Sequence, residues 1–211
     1  MLSLIEKNKY YFRLYILFFA LLFLYQWAYY QSDALLFFSE RRSTFGDFFF
    51  KAMTRCGEES VYIVLTALFL LRKERQKAGL VAVVGFTVLL ISPLFKMLFS
   101  HPRPYTVFEQ AGLLARVHLV ENYDILRGNS SFPSGHAMSG FALWSLLAFI
   151  YHKHRRLVTL FFAIAIMVGI SRVYLFAHFP EDVLFGSALG VLIALLVYGI
   201  VMSKNNRLVQ K

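Results

Sequence analysis

The sequence predicts an all-α fold, a polytopic membrane bundle of about six transmembrane helices, and three observations predict it. Of its 211 residues 58% are hydrophobic, the mean hydropathy is +0.58, and the apolar residues fall into long runs separated by short charged segments. Soluble domains carry a smaller apolar share, whereas a helix that crosses a bilayer needs about 20 mostly apolar residues in succession. The length suits one domain, so residues 1–211 are expected to form a single integral-membrane unit. The formal charge of +10 does not point to nucleic acid, because the basic residues are dispersed between apolar runs and form no stripe on a soluble surface. A single cysteine, Cys56, excludes an internal disulfide and a cysteine-rich zinc site, and the residue is expected to be a small, partly buried filler.

The first run, residues 12–30, is too long for a signal-peptide core and has no small-residue cleavage site after it; it is expected to remain as a span. The second, 61–71, is short and has a polar approach from Phe48. Part of 45–59 is therefore expected either to continue that helix or to lie amphipathically at the interface. Residues 78–98 make the third span, with a kink expected at Pro93, where one backbone donor is missing. Residues 136–151, 157–171 and 183–202 supply the remaining three.

Orientation follows from the basic residues, since positive loops stay on the cytoplasmic side. With the N-terminus inside, the inner segments hold Lys7, Lys9, Arg13, Arg72, Lys73, Arg75, Lys77, Lys153, Arg155, Arg156, Lys204, Arg207 and Lys211, a total of 13 of the 22. All the acidic residues except Glu6 and Glu74 fall outside. Both termini are thus expected in the cytoplasm, with Tyr25, Trp27, Tyr29 and Tyr30 forming an aromatic belt at the outer end of the first span.

The long polar stretch 99–135 is a functional suspect by its length alone. Three clusters border it or share its side of the bilayer. Lys96 precedes Arg103–Pro104 by six intervening residues, Pro133–Ser134–Gly135–His136 opens the fourth span, and Ser171–Arg172 is followed by His178 and Asp182. Lys96, Arg103 and Arg172 could surround a group carrying about two negative charges, arginine supplying the planar fork that matches phosphate oxygens. The first turn of the fourth span directs backbone N–H groups outward where the helix end favours an anion. Gly135 permits close approach and Ser134 adds a hydroxyl donor. A two-step phosphoryl transfer needs two histidines, one to attack phosphorus and one to protonate the leaving alkoxide and later activate water. His178 and Asp182 are four apart, with Pro180 suited to the first position of the sixth helix, so Asp182 can fix one imidazole nitrogen while the other attacks.

These clusters resemble the three-part signature of the type 2 phosphatidic acid phosphatase superfamily, which includes lipid phosphate phosphatases and vanadium haloperoxidases. All eleven defining positions match within 96–182. The resemblance implies His178 as nucleophile, His136 as general acid, Asp182 as orienting carboxylate, and Lys96, Arg103, Ser134, Gly135 and Arg172 as phosphate binders, with no cofactor and no metal. It further implies a bacterial plasma-membrane enzyme with its active site at the outer face, acting on a phospholipid or isoprenoid lipid phosphate. The lipid classes in view are undecaprenyl diphosphate, phosphatidylglycerophosphate, phosphatidate and a phosphate of lipid A. Transfer of the phosphoryl group to another acceptor is the alternative within catalysis, and anion or lipid transport the alternative outside it. The apolar spans carry almost no midplane charge, which argues against transport. His101, His118, His152 and His154 match no motif position, while Tyr123, Asp124, Arg127 and Asn129 are candidates for shaping substrate access.

Overall fold

The computed structural model describes residues 2–209, and the side chains of residues 3–203 within them. Ten α-helices and one 3-10 turn make up the regular structure, and the described residues contain no strand. In chain order the helices are α1 (Leu2–Lys7), α2 (Lys9–Ala28), α3 (Gln31–Glu40), α4 (Thr44–Arg55), α5 (Glu59–Leu71), α6 (Arg75–Leu98), α7 (Pro104–Gln110), α8 (Gly135–Ile150), α9 (Arg155–Tyr174) and α10 (Pro180–Val209).

Four of these, α2, α6, α9 and α10, are long and apolar enough to cross a membrane. The second and fourth expected spans correspond to shorter apolar helices, α5 with 13 residues and α8 with 16. At 1.5 Å per residue they reach about 20 and 24 Å, against a hydrocarbon core of about 30 Å. Charges bound α5 closely, with Glu58 and Glu59 at one end and Arg72 and Lys73 at the other. The stretch 45–59 does not continue α5. It forms a separate helix, α4, capped by the Ser43 hydroxyl accepting from Gly46 N, and the chain turns at Cys56–Gly57–Glu58 before α5 begins. α6 stays helical on both sides of Pro93.

α8 is the centre of the bundle. Ala137, Met138, Phe141, Ala142, Leu143, Leu146, Ala148 and Phe149 are all 0% exposed, as expected of a helix that is apolar on all sides. It packs most extensively on α10, then on α9 and α6. The α8–α10 crossing is close because α10 offers glycine at Gly186 and Gly190, one turn apart. A Cβ on Gly190 would collide with the Met138 carbonyl oxygen, and one on Gly186 would fall 2.6 Å from the Ser134 carbonyl oxygen. Small residues spaced by four let helix backbones approach in a membrane, where dispersion rather than water exclusion holds helices together. We expect Gly190→Val to lower the melting temperature in detergent by several degrees, since overpacking a tight contact costs about 1–3 kcal/mol; an unchanged melt would mean that the helices part without cost.

On the outer surfaces of the bundle, Phe23, Leu24, Val64, Leu71, Phe86, Leu90 and Ile200 are exposed. An apolar belt of this extent fits contact with lipid.

Candidate active site

One end of the bundle gathers the C-terminal ends of α4, α6 and α9 and the N-terminal ends of α8 and α10. α8 begins where Ser134 takes the N-cap, its Oγ accepting from Ala137 N at 3.3 Å. That leaves the hydroxyl proton free for a ligand. The Ser134 N–H donates to the Asp182 carbonyl at 3.0 Å, which ties the start of α8 to the first turn of α10. α9 ends as the N–H groups of Ala177 and His178 both donate to the Arg172 carbonyl, at 3.0 and 3.2 Å. Phe176 turns the chain there in the left-handed region, φ 58°, a strained conformation for a bulky residue, and its ring packs on Phe108 at 5.0 Å. The turn folds His178 back over Arg172.

His178 is 2% and Asp182 0% exposed. Asp182 Oδ2 lies 3.4 Å from His178 Nδ1 and accepts from Phe179 N at 2.9 Å and from Ser131 Oγ at 2.6 Å; Oδ1 has no partner. Burial is the main force on the imidazole. Together with Arg172 and Arg103 it pushes the His178 pKa down to about 4, against the opposing pull of Asp182. The lowered value makes the ring neutral across the ordinary pH range, and the stability this contributes is present above about pH 6.5 and is lost as pH falls through the lowered value. Nitrogen-15 spectra of histidine-labelled protein in detergent should therefore show His178 neutral from about pH 7 to about pH 5; a resonance titrating near 6.5 that vanishes in H178N would contradict this.

Two guanidinium groups flank the pair. Arg172, 1% exposed, donates from Nη1 to Thr54 Oγ1 at 2.6 Å and to Tyr123 OH at 2.9 Å, while its buried Nε has no partner. Arg103, 6% exposed, donates from Nη1 to the Ala177 carbonyl at 3.0 Å and from Nη2 to the Ser130 carbonyl at 3.1 Å. Each guanidinium is thus anchored by one edge, with donors left over. A phosphate would supply the acceptors those donors lack. Lys96, in the last turn of α6, is half-buried, and a Cβ on Gly135 would stand 3.7 Å from its Nζ. His136 lies within electrostatic reach of Arg172, His178, Lys96 and Arg103. All eight residues singled out in the sequence therefore gather at this end.

Sequence reasoning missed Ser131, Thr54 and Ser130. Ser131 stands two residues before Pro133, inside the loop already under suspicion, whereas Thr54 reaches Arg172 across 118 positions with no local signal. Of the loop candidates, Tyr123 touches Arg172, and Arg127 instead bonds and stacks on Tyr105. The Tyr123 segment is strapped down by Lys51 Nζ donating to the Glu121 carbonyl at 2.5 Å and by Ser39 bonding the His118 backbone. His101, Glu181 and Asp182 bring possible metal-ligand atoms within 4.8 Å of one another, the one such set among the described residues.

A cavity of about 700 Å3 opens from this centre. Lys96, Gly135 and His136 stand at its head, Tyr62 and Gly85 line its middle, and Leu70 and Ala82 mark its far end between α5 and α6. From Ala82 to Lys96 the cavity runs about 21 Å along α6. A separate cavity of about 520 Å3, almost wholly apolar, lies between α2, α3, α9 and the start of α10.

Residues 76–206 match the PAP2 superfamily. The chain is 44% identical over 77 residues to phosphatidylglycerophosphatase B of Bacillus subtilis (strain 168), covering 33% of this chain and 38% of that protein. It is 28% identical over 145 residues to the undecaprenyl-diphosphatase of Sulfolobus acidocaldarius, covering 68% of this chain and 65% of that protein. The matches thus span less than two thirds of the length of these curated relatives. Among solved structures, LpxE of Aquifex aeolicus superposes with a TM-score of 0.64 at 24% identity, over 79% of this chain and 93% of that one, a likeness of fold.

Proposed function

Since the chain belongs to the PAP2 superfamily, we propose that it is a membrane phosphatase that hydrolyses a lipid phosphate monoester or diphosphate through a phosphohistidine intermediate. One observation carries the reading: Lys96, Gly135 and His136, gathered at the same end of the bundle as the buried guanidinium donors and the His178–Asp182 pair, line the head of a mostly apolar cavity long enough for a lipid tail. The strapped Tyr123 segment beside Arg172 favours approach from the α5–α6 side.

In the proposed cycle the phosphate is held by Lys96, Arg103, Arg172, the Ser134 hydroxyl and the N–H groups at the start of α8. His178 Nε2 attacks phosphorus, and the bond to the lipid oxygen breaks as His136, protonated once the phosphate's negative charge lies beside it, gives that oxygen its proton. Neutral His136 then takes a proton from water, the water oxygen attacks phosphorus, and the phosphorus–nitrogen bond breaks to release phosphate. Asp182 stabilises the charge on the imidazole throughout. No metal enters these steps.

In the bilayer we propose six crossings, α5 and α8 completing the four longer helices with the help of flanking residues, both termini in the cytoplasm and the active site at the outer face of a bacterial plasma membrane. The whole of 1–211 acts as one domain in this reading. The relatives' names bring phosphatidylglycerophosphate and undecaprenyl diphosphate forward as substrates, beside phosphatidate and a lipid A phosphate. The test is a phosphate-release panel over these four lipids with purified protein in EDTA. Turnover of at least one is expected; release from none of them, or complete loss in chelator, would overturn the reading. A labelled donor lipid separates hydrolysis from transfer to another acceptor by its products.

A further inference from the structure

The geometry points to Ser131 as a positioning residue that holds His178 in the tautomer whose Nε2 is bare for attack, a role that rests on the function proposed above. Ser131 is 0% exposed, and its N–H is fixed on the His101 carbonyl at 3.0 Å. Its hydroxyl has one proton and two neighbours that could accept it. Asp182 Oδ2 stands at 2.6 Å and His178 Nδ1 at 3.5 Å. The shorter distance falls in the range of charge-assisted O–H···O⁻ bonds, so the proton goes to the carboxylate. Ser131 Oγ then presents only lone pairs to the imidazole.

Nδ1 consequently faces two acceptors, Ser131 Oγ at 3.5 Å and Asp182 Oδ2 at 3.4 Å. A bare Nδ1 would set lone pairs against lone pairs on both sides, whereas a protonated one donates to either, and contacts of this length shorten once a substrate is bound. The same hydroxyl limits how the carboxylate can turn. Oδ1 has no partner, so without Ser131 only the Phe179 N–H at 2.9 Å would hold Asp182 in place besides the histidine itself. The neighbouring Ser130 carbonyl accepts from Arg103, so one short segment positions both the clamp and the nucleophile's orienting group.

The experiment compares S131A with the unaltered full chain in detergent, on the lipid turned over fastest in the panel. Loss of the orienting hydroxyl with Asp182 intact is expected to lower kcat by about tenfold to a hundredfold, less than the roughly 10⁴-fold seen when an orienting aspartate is itself disabled in a hydrolase triad. KM should stay within about twofold, and nitrogen-15 spectra should show His178 passing from one tautomer to a mixture. Should S131A melt at a lower temperature, the near-isosteric S131C, a poor donor, is expected to show the same loss of kcat with the melt restored. Wild-type kcat in S131A, a change confined to KM, or an unmoved His178 tautomer each overturns the assignment and leaves the proposed function standing. Full activity in H178N would instead sink that function.

Discussion

Replacing His178 with asparagine is expected to reduce phosphate release by at least about 10⁴-fold while the protein elutes and melts as before. The magnitude follows from the proposed role: without that nucleophile no covalent intermediate would form, and only the proposed anion pocket would remain to favour water attack. Asparagine is a suitable probe because it retains an amide that can meet Asp182 and Ser131, so the buried carboxylate is not stranded. Rapid quench with a phosphorus-32 substrate gives a second readout. The unaltered enzyme should yield an acid-labile phosphoenzyme and H178N none; H178N turning over at more than about a hundredth of the normal rate would remove the mechanism.

The second large effect is expected at Arg172. Exchanging it for lysine preserves the charge but loses the planar fork, which spends one nitrogen on Thr54 and Tyr123 and keeps Nε unpaired. An ammonium cannot hold both anchors and still present fixed donors to phosphate, so kcat/KM should fall by about 10²- to 10³-fold, the usual scale for one lost donor to a developing negative charge. Vanadate, a mimic of pentacoordinate phosphorus, should lose affinity in parallel. If R172K kept its turnover while vanadate inhibition stayed unaltered, Arg172 would be an anchor of Tyr123 and Thr54 with no part in anion binding.

Which residues would gather at one end of the bundle was more legible in the chain than the architecture was. Lys96, Arg103, His136, His178 and Asp182 are polar residues at the margins of apolar runs, where each needs a reason to be, and their spacing survives folding because short loops and helix starts keep near neighbours near. α8 and α10 were readable for the same reason: an uninterrupted apolar run has one economical structure in lipid. α3 and the separation of α4 from α5 were not, since 31–59 mixes aromatic and charged residues without the continuous hydrophobicity of a span, and its helices exist by packing on α9. Thr54 and Tyr123 were hidden because their relevance arises only when distant elements meet at Arg172. Ser131 was within sight, beside a recognised motif, but a serine between serine and phenylalanine has no pattern that marks it as bonded to a carboxylate 51 positions away.

The glycine contact between α8 and α10 divides the molecule mechanically. His136, on α8, and Asp182, on α10, ride on two helices locked backbone to backbone, with Arg172 alongside on α9, whereas Lys96 belongs to α6, which also forms one wall of the larger cavity. Any displacement of α6 along or away from that locked pair would therefore alter the separation of the Lys96 ammonium from the side chains that α8, α9 and α10 carry, while their mutual spacing stayed set by the glycine contact.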